Sequence, residues 1–198
     1  EIANILPTNT KVQVKFTNGS GNLGRTEQLN LRAHAQVHID VSNLLASGTI
    51  GTAEIIPSEN ESVIAQSSSY YLGCNDGTVQ TAFTMSSVVP RAAIQYGSYN
   101  RFLAMGNYYL ISNISNQPVS LNLQLKNSRA TSLSDIPYSI NPYGSIKVNL
   151  SNERFRTASD SYGSAILRVG GPNLVSAVSL RTREVNETMD FVIPAVVR

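Results

Sequence analysis

The chain has 198 residues, of which 41% are hydrophobic and only 14% charged. Such a composition can bury a core, which excludes disorder, and holds too little Glu, Lys and Arg for a coiled coil. The net charge of +2 is spread without a Lys/Arg cluster, so the footprint of a nucleic-acid binder is missing, and the apolar runs fall far short of the roughly 20 residues of a membrane span.

Val12, Val14 and Phe16 alternate with Lys11, Gln13 and Lys15, the period of two that marks a half-buried strand. Gly19-Ser20-Gly21-Asn22-Leu23-Gly24 then matches GxGxxG. The residues after it read as strand rather than as the helix whose amides would hold a pyrophosphate, so it is read as a hairpin loop. A long second run follows, with Leu29, Leu31, Ala33, Ala35, Val37, Ile39 and Val41 on one face. His34, His38 and Asp40 share its other face. At about 3.3 Å per residue the two histidines lie about 13 Å apart, too far for one zinc ion. A solvated polar face is the favoured reading there, with a metal at His38 and Asp40 as the alternative.

The single Cys74 falls in the turn Leu72-Gly73-Cys74-Asn75-Asp76-Gly77; it excludes an internal disulfide and has no activating partner in view. Residues 92–103 are neither Gly/Ser-rich nor Pro-rich and predict a packed linker. From Gly106 the strand pattern resumes. Val119, Leu121, Leu123 and Leu125 alternate, then Ile140, Ile146, Val148 and Leu150, with Asn141-Pro142-Tyr143-Gly144 as a turn that splits the longer run.

Set against itself, the sequence repeats. Glu1–Asn43 lies on Leu110–Asn152 without a gap. Ile2-Ala3-Asn4-Ile5 meets Ile111-Ser112-Asn113-Ile114, Val12 and Val14 meet Leu121 and Leu123, and Asn18 meets Asn127. After a three-residue insertion Gly51-Thr52-Ala53 meets Gly163-Ser164-Ala165, and Val63 and Ala65 meet Val175 and Ala177; after a compensating deletion Phe83 meets Phe191. The apolar phase is held through most strands, the signature of an internal repeat. The fold class expected is all-β, two tandem antiparallel β-sandwich modules related by internal duplication: repeat 1 over 1–91 with its first strand upstream of Glu1, the linker 92–103, and repeat 2 over 104–198. Both ends read as cuts in a longer chain.

Tyr109-Leu110-Ile111-Ser112-Asn113, Ile140-Asn141-Pro142-Tyr143-Gly144-Ser145-Ile146, Tyr162-Gly163-Ser164-Ala165-Ile166 and Leu174-Val175-Ser176-Ala177 together resemble a bacterial β-sandwich repeat of secreted and surface proteins, similar in pattern to sensory-rhodopsin-transducer-like sandwiches. The resemblance spans most of both copies, except that copy one carries Ala33-His34-Ala35 in place of the Pro-Tyr-Gly turn. It transfers no catalytic motif and implies a non-enzymatic scaffold, display or binding module.

Chemistry searched for directly points the same way. Both histidines lie in one run, no GxSxG elbow occurs, and the 13 acidic residues are mostly isolated, so no enzyme and no cofactor is expected. Asn18, Asn60, Asn113, Asn149 and Asn186 open N-x-S/T triplets, a number near chance in so Asn- and Ser-rich a chain. Tyrosines beside amides can stack on sugars, and Tyr96, Tyr99, Tyr143 and Tyr162 are the candidate ligand-binding residues. The expectation is a structural or adhesive module of a longer secreted or cell-surface bacterial protein with a protein or glycan partner and no insertion in a membrane. The alternatives are a carbohydrate-binding module and a segment of a homo-oligomeric fibre in which Val88, Val89 and Phe102 pack between chains.

Overall fold

A computed structural model describes residues 1–41, 44, 50–72, 78–88, 92–185 and 188–197. It is all-β. Along the first half run β1 (Ile2–Asn4), β2 (Thr10–Asn18), β3 (Leu23–Leu31), β4 (Gln36–Val37), β5 (Gly51–Pro57), β6 (Val63–Leu72) and β7 (Val79–Ser86). They are followed by β8 (Ile94–Asn100), β9 (Gly106–Asn113), β10 (Val119–Asn127), β11 (Ser132–Ile140), β12 (Ser145–Asn149), β13 (Tyr162–Val169), β14 (Val175–Val185) and β15 (Thr188–Val196). Helical structure among the described residues is confined to two short 3-10 turns, Phe102–Ala104 and Glu153–Phe155. No described helix is long and apolar enough to cross a membrane.

The strands form four antiparallel sheets. β4-β1-β6-β7 faces β3-β2-β5, and β12-β9-β14-β15 faces β11-β10-β13-β8. Each pair is a sandwich because the alternating strands turn one face inward. Ile2 of β1 meets Val12, Val14 and Leu31 of the opposite sheet in one core, and Tyr109 and Ile111 of β9 meet Leu121, Leu123 and Leu125 of β10 in the other.

The duplication holds at the level of register. Ile2 lies opposite Val37 and Ala65, and Ile111 opposite Ile146 and Ala177. The β-bulge between Phe16 and Thr17 recurs between Leu125 and Lys126, as a feature built into the module would. Asn4 and Asn113 are both 2% exposed. Asn4 Nδ2 donates to the carbonyls of Thr8 and Arg32, and Asn113 Nδ2 to those of Gln117 and Asn141.

Four expectations need correction. Ile94–Asn100 is a strand rather than a linker: it pairs with β13 from Ile94↔Arg168 to Asn100↔Tyr162 and so belongs to the second module. The run Leu29–Val41 is two strands in opposite sheets, because His34 takes a left-handed conformation (φ 55°) and turns the chain between β3 and β4. That turn matches the one at Tyr143, also φ 55°. His34 N donates to Leu6 O and Tyr143 N to Ser115 O, so Ala33-His34-Ala35 builds the same turn without Pro or Gly. Finally, Phe83 lies opposite Ser69 while Ile193, not Phe191, lies opposite the equivalent Arg181. Both β6-β7 and β14-β15 hairpins keep a bulge, and the shorter connection of the second displaces the alignment by two residues.

Candidate functional site

The four candidate tyrosines do not form one site. Tyr99 is a core residue, 1% exposed: β8 alternates, and its inward positions Gln95 and Tyr99 close the second sandwich. Its assignment to ligand binding is therefore overturned by burial. Tyr143 sits in the turn before β12, at the junction with the first module. Tyr96 and Tyr162 lie on the outward face of β11-β10-β13-β8, 58% and 54% exposed. Tyr96 stands opposite Ile166 and Tyr162 opposite Asn100, so four residues of strand, about 13 Å, separate them. Tyr162 packs its ring on Phe102, with centroids 5.8 Å apart.

This outward face mixes polar, charged and apolar residues. Register places Asp135, Gln124, Ile166 and Tyr96 in one row across the four strands, and Pro137, Asn122, Arg168 and Ile94 in the next. Asn122 Nδ2 donates to Asp135 Oδ1 at 3.1 Å. Tyr96 at the β8 edge, with the Arg168 guanidinium on the next strand and the amides of Gln124 and Asn122 on the one beyond, places stacking and hydrogen-bonding groups on one face, the combination that suits a polyhydroxylated ligand. At the β11 edge Arg154 hydrogen-bonds the Tyr138 hydroxyl and lies over its ring, and Arg154 and Arg156 line an open depression with Asp135. Burial pushes the Tyr138 hydroxyl pKa up, and the Arg154 charge opposes that shift.

A set of polar contacts joins the two modules. The β2-β3 hairpin tip of the first module lies on the turn before β12 of the second. Ser145 N donates to Gly19 O at 2.9 Å, and the Thr17 hydroxyl reaches Tyr143 O at 3.4 Å. Thr52, Ser112 and Ser145 join their hydroxyls in a triangle of 2.8–3.0 Å edges, and Met189 N donates to Gln80 Oε1. Gly21 explains the GxGxxG match. Its φ is +87°, and a Cβ there would stand 2.0 Å from the Pro142 carbonyl oxygen, so glycine is required both by conformation and by the approach of the neighbouring module.

Other sequence features also resolve into local structure. The triplet asparagines Asn18, Asn113 and Asn149 accept with Oδ1 from the amides of Ser20, Ser115 and Ser151 two residues on, which makes these triplets Asx turns. His38 faces the Glu1 carboxylate at 3.6 Å, whereas His34 is held away in its turn. Among the described residues no three of His, Cys, Asp and Glu gather as a metal would require. Cys74, Asn186 and Val89 lie outside the described residues. Sequence reasoning missed the junction, although one signal was available: the glycines of the first tip are absent from the second.

The second module also has an alkaline limit. Tyr109 is 1% exposed, its hydroxyl lies 3.3 Å from Ser98 O, and burial pushes its pKa well above the ordinary tyrosine value. The folded state thus favours the neutral phenol while the unfolded chain ionises near pH 10. Stability from this group is complete below about pH 10 and falls above it by about 1.4 kcal/mol per pH unit. Denaturant unfolding at pH 9 and pH 11 is expected to show that loss, and Tyr109→Phe to flatten it.

No family model and no curated protein matches the sequence. Among solved structures, the crystal structure of Thermotoga maritima 1070 is similar over 53% of this chain and 91% of its own length, at 12% identity and a TM-score of 0.44, a likeness too distant to carry an argument.

Proposed function

We propose that the chain is a non-enzymatic structural or adhesive module of a longer secreted or cell-surface bacterial protein, a tandem β-sandwich repeat of sensory-rhodopsin-transducer-like pattern. It would hold two sandwiches as one stiff unit and present a sheet face to a protein or glycan partner. The observation that supports this most is the junction, where backbone, hydroxyl and side-chain amide contacts join the modules. A junction built for rigidity is what a spacer or display element needs.

Gly21→Ala tests it. The added methyl meets the Pro142 carbonyl and strains a positive φ, so the tip must leave the turn. Each module is expected to keep its fold while the two begin to tumble separately in NMR relaxation. A wild-type chain whose modules already tumble independently would defeat the rigid-spacer reading.

A second reading, carbohydrate binding, is favoured by Tyr96, Arg168 and Gln124 on three successive strands of the outward face. On a glycan array, signal lost in Tyr96→Ala would support it. The fibre reading draws less support. Ala130 of the second tip and Ala35 of the first turn stand at the positions of Gly21 and Gly144. A Cβ at the Gly21 position would meet a backbone oxygen at 2.0 Å, so this contact does not repeat end to end between copies. Light scattering showing a monomer fits the spacer; a closed oligomer fits a fibre segment.

A further inference from the structure

We infer that the depression at the β11 edge of the second module, between Ser132–Ile136 and the two arginines Arg154 and Arg156, is a binding site for a sugar acid, a ligand that carries one carboxylate flanked by hydroxyls. The depression holds about 400 Å³, a volume within the range of small-ligand sites. Five successive residues of β11, Ser132 to Ile136, line it. Neighbouring side chains of a strand point to opposite faces, so the depression runs along the outer edge of β11 and not over either face.

That edge is polar in a defined order. Val169 N donates to Ala93 O on the β8 side, so by alternation Arg168 and Ile166 turn their backbone groups toward Asn122 and Gln124 of β10. Leu121, Leu123 and Leu125 then face β11 and bond Tyr138, Ile136 and Ser134. The backbone N–H and C=O of Asp135 consequently face away from β10, into the depression. Pro137 faces the same way and has no N–H to donate.

The opposite wall is held from below. Phe155 is 0% exposed, and Thr157 is buried with its hydroxyl donating to Leu150 O at 2.8 Å. Arg154 and Arg156 alternate with these two anchors and are exposed. The Arg154 guanidinium lies 5.1 Å from the ring centroids of both Tyr138 and Phe155 and donates to the Tyr138 hydroxyl. Arg156 takes a left-handed conformation, φ 54°, rare for a residue with a side chain. Among the described residues neither arginine is paired with a carboxylate. Ser134 holds a buried hydroxyl with no partner among the described residues. The corresponding stretch of the first copy, Asn43-Leu44-Leu45-Ala46-Ser47, has no arginine, so the site belongs to the second module alone.

Charge selects the ligand. The charged lining residues are the two arginines and Asp135, a net charge of +1, and the Asp135 carboxylate already accepts from Asn122 Nδ2 at 3.1 Å. One carboxylate matches that charge and the guanidinium fork, whereas a phosphate monoester would bring close to two negative charges against Asp135. The Asp135 carbonyl and the Ser132 hydroxyl accept from ligand hydroxyls. An acidic peptide added as a strand fits less well, since its ladder would meet Pro137 two residues beyond Asp135. The inference is independent of the scaffold reading and of the Tyr96 face, which lies at the opposite edge of the same sheet.

The test is a titration of the intact 198-residue chain with sodium glucuronate, followed by amide NMR. The amides of Leu133–Ile136 and Arg154–Arg156 are expected to shift and saturate together, with half-saturation at about 1–10 mM, and to shift less as salt is raised. Arg156→Gln is expected to weaken binding about tenfold. It leaves the Tyr138 contacts of Arg154 intact, so it reports on the ligand and not on the fold. Asp135→Asn is expected to tighten binding about threefold by removing the opposing charge. No saturable shift at ten times the expected half-saturation, or wild-type affinity in Arg156→Gln, would overturn the site. Equal shifts with glucose would make it a neutral-sugar site, and equal affinity for acetate would show that the hydroxyls contribute nothing; either overturns the sugar acid. Tighter binding of acetyl-Gly-Asp-Gly-amide than of glucuronate would assign the depression to an acidic peptide and overturn it likewise.

Discussion

Asn113→Ala is expected to lower the unfolding free energy of the second module by about 3–4 kcal/mol, and with it the melting temperature by more than about 10 °C. Asn113 is almost fully buried at the end of β9. Its Nδ2 lies 2.7 Å from the Gln117 carbonyl, 2.9 Å from that of Asn141 and 3.2 Å from that of Ile140, while its Oδ1 accepts from both the amide and the hydroxyl of Ser115 at 2.8 Å. One side chain therefore satisfies the backbone of two connections, one leaving β9 and one leaving β11. Alanine leaves these groups without partners, at a cost of about 1–3 kcal/mol for each one that water does not reach. Asp is the sharper probe. Asn113→Asp keeps the acceptor for Ser115 but points a carboxylate at three carbonyl oxygens, so it is expected to destabilise at least as much as Ala. An Asp variant close to wild type in denaturant unfolding would show that the Ser115 contacts, not the carbonyl contacts, hold the turn. Asn4→Ala removes the same network from the first module and is expected to unfold that module first.

The pairing of Asn4 with Asn113 was legible in the sequence, but its reason was not. Self-comparison reads whatever both copies retain, and the strand periods and the gapless match of 1–43 on 110–152 belong to that class. It is blind to what one copy has alone. Among the described residues β8 has no counterpart in the first module, so the alternation of Gln95, Tyr96, Gly97, Ser98 and Tyr99 reads as a stretch between repeats. Period two also separates the faces of a strand without saying which face is buried. Tyr96 and Tyr99 fall on opposite faces, and only the packing of Tyr99 against the core decides between them. The turn at His34 was hidden for a different reason: a left-handed residue is announced by Gly or Asn, and here tertiary hydrogen bonds hold a histidine there instead. The junction was hidden because it depends on two segments more than a hundred residues apart, Thr17–Gly21 and Pro142–Ser145.

The place where the chain is cut is expected to decide which half survives. A piece spanning 92–198 carries the whole second sandwich and should unfold cooperatively. A piece beginning at 101, inside the stretch that the sequence reads as a linker, loses β8 and with it a buried Tyr99 and the donation of Gln95 Nε2 to Val175 O at 2.9 Å. It also uncovers β13, whose Ala165 and Leu167 are fully buried in the intact module. Loss of the Tyr99 side chain alone costs about 3–5 kcal/mol, a large part of the roughly 5–15 kcal/mol that a domain has, so this piece should be partly unfolded in water. The piece 1–91 resembles that truncated state. Among the described residues its buried core is Ile2, Val12, Val14 and Leu31, against sixteen in the second module, and it should have a lower unfolding midpoint than 92–198. Denaturant midpoints for the three pieces, compared at equal concentration, check the order. Equal midpoints for 92–198 and 101–198 would show that β8 is dispensable to the sandwich. Equal midpoints for 1–91 and 92–198 would instead show that the smaller buried core of the first piece is compensated by contacts of its own.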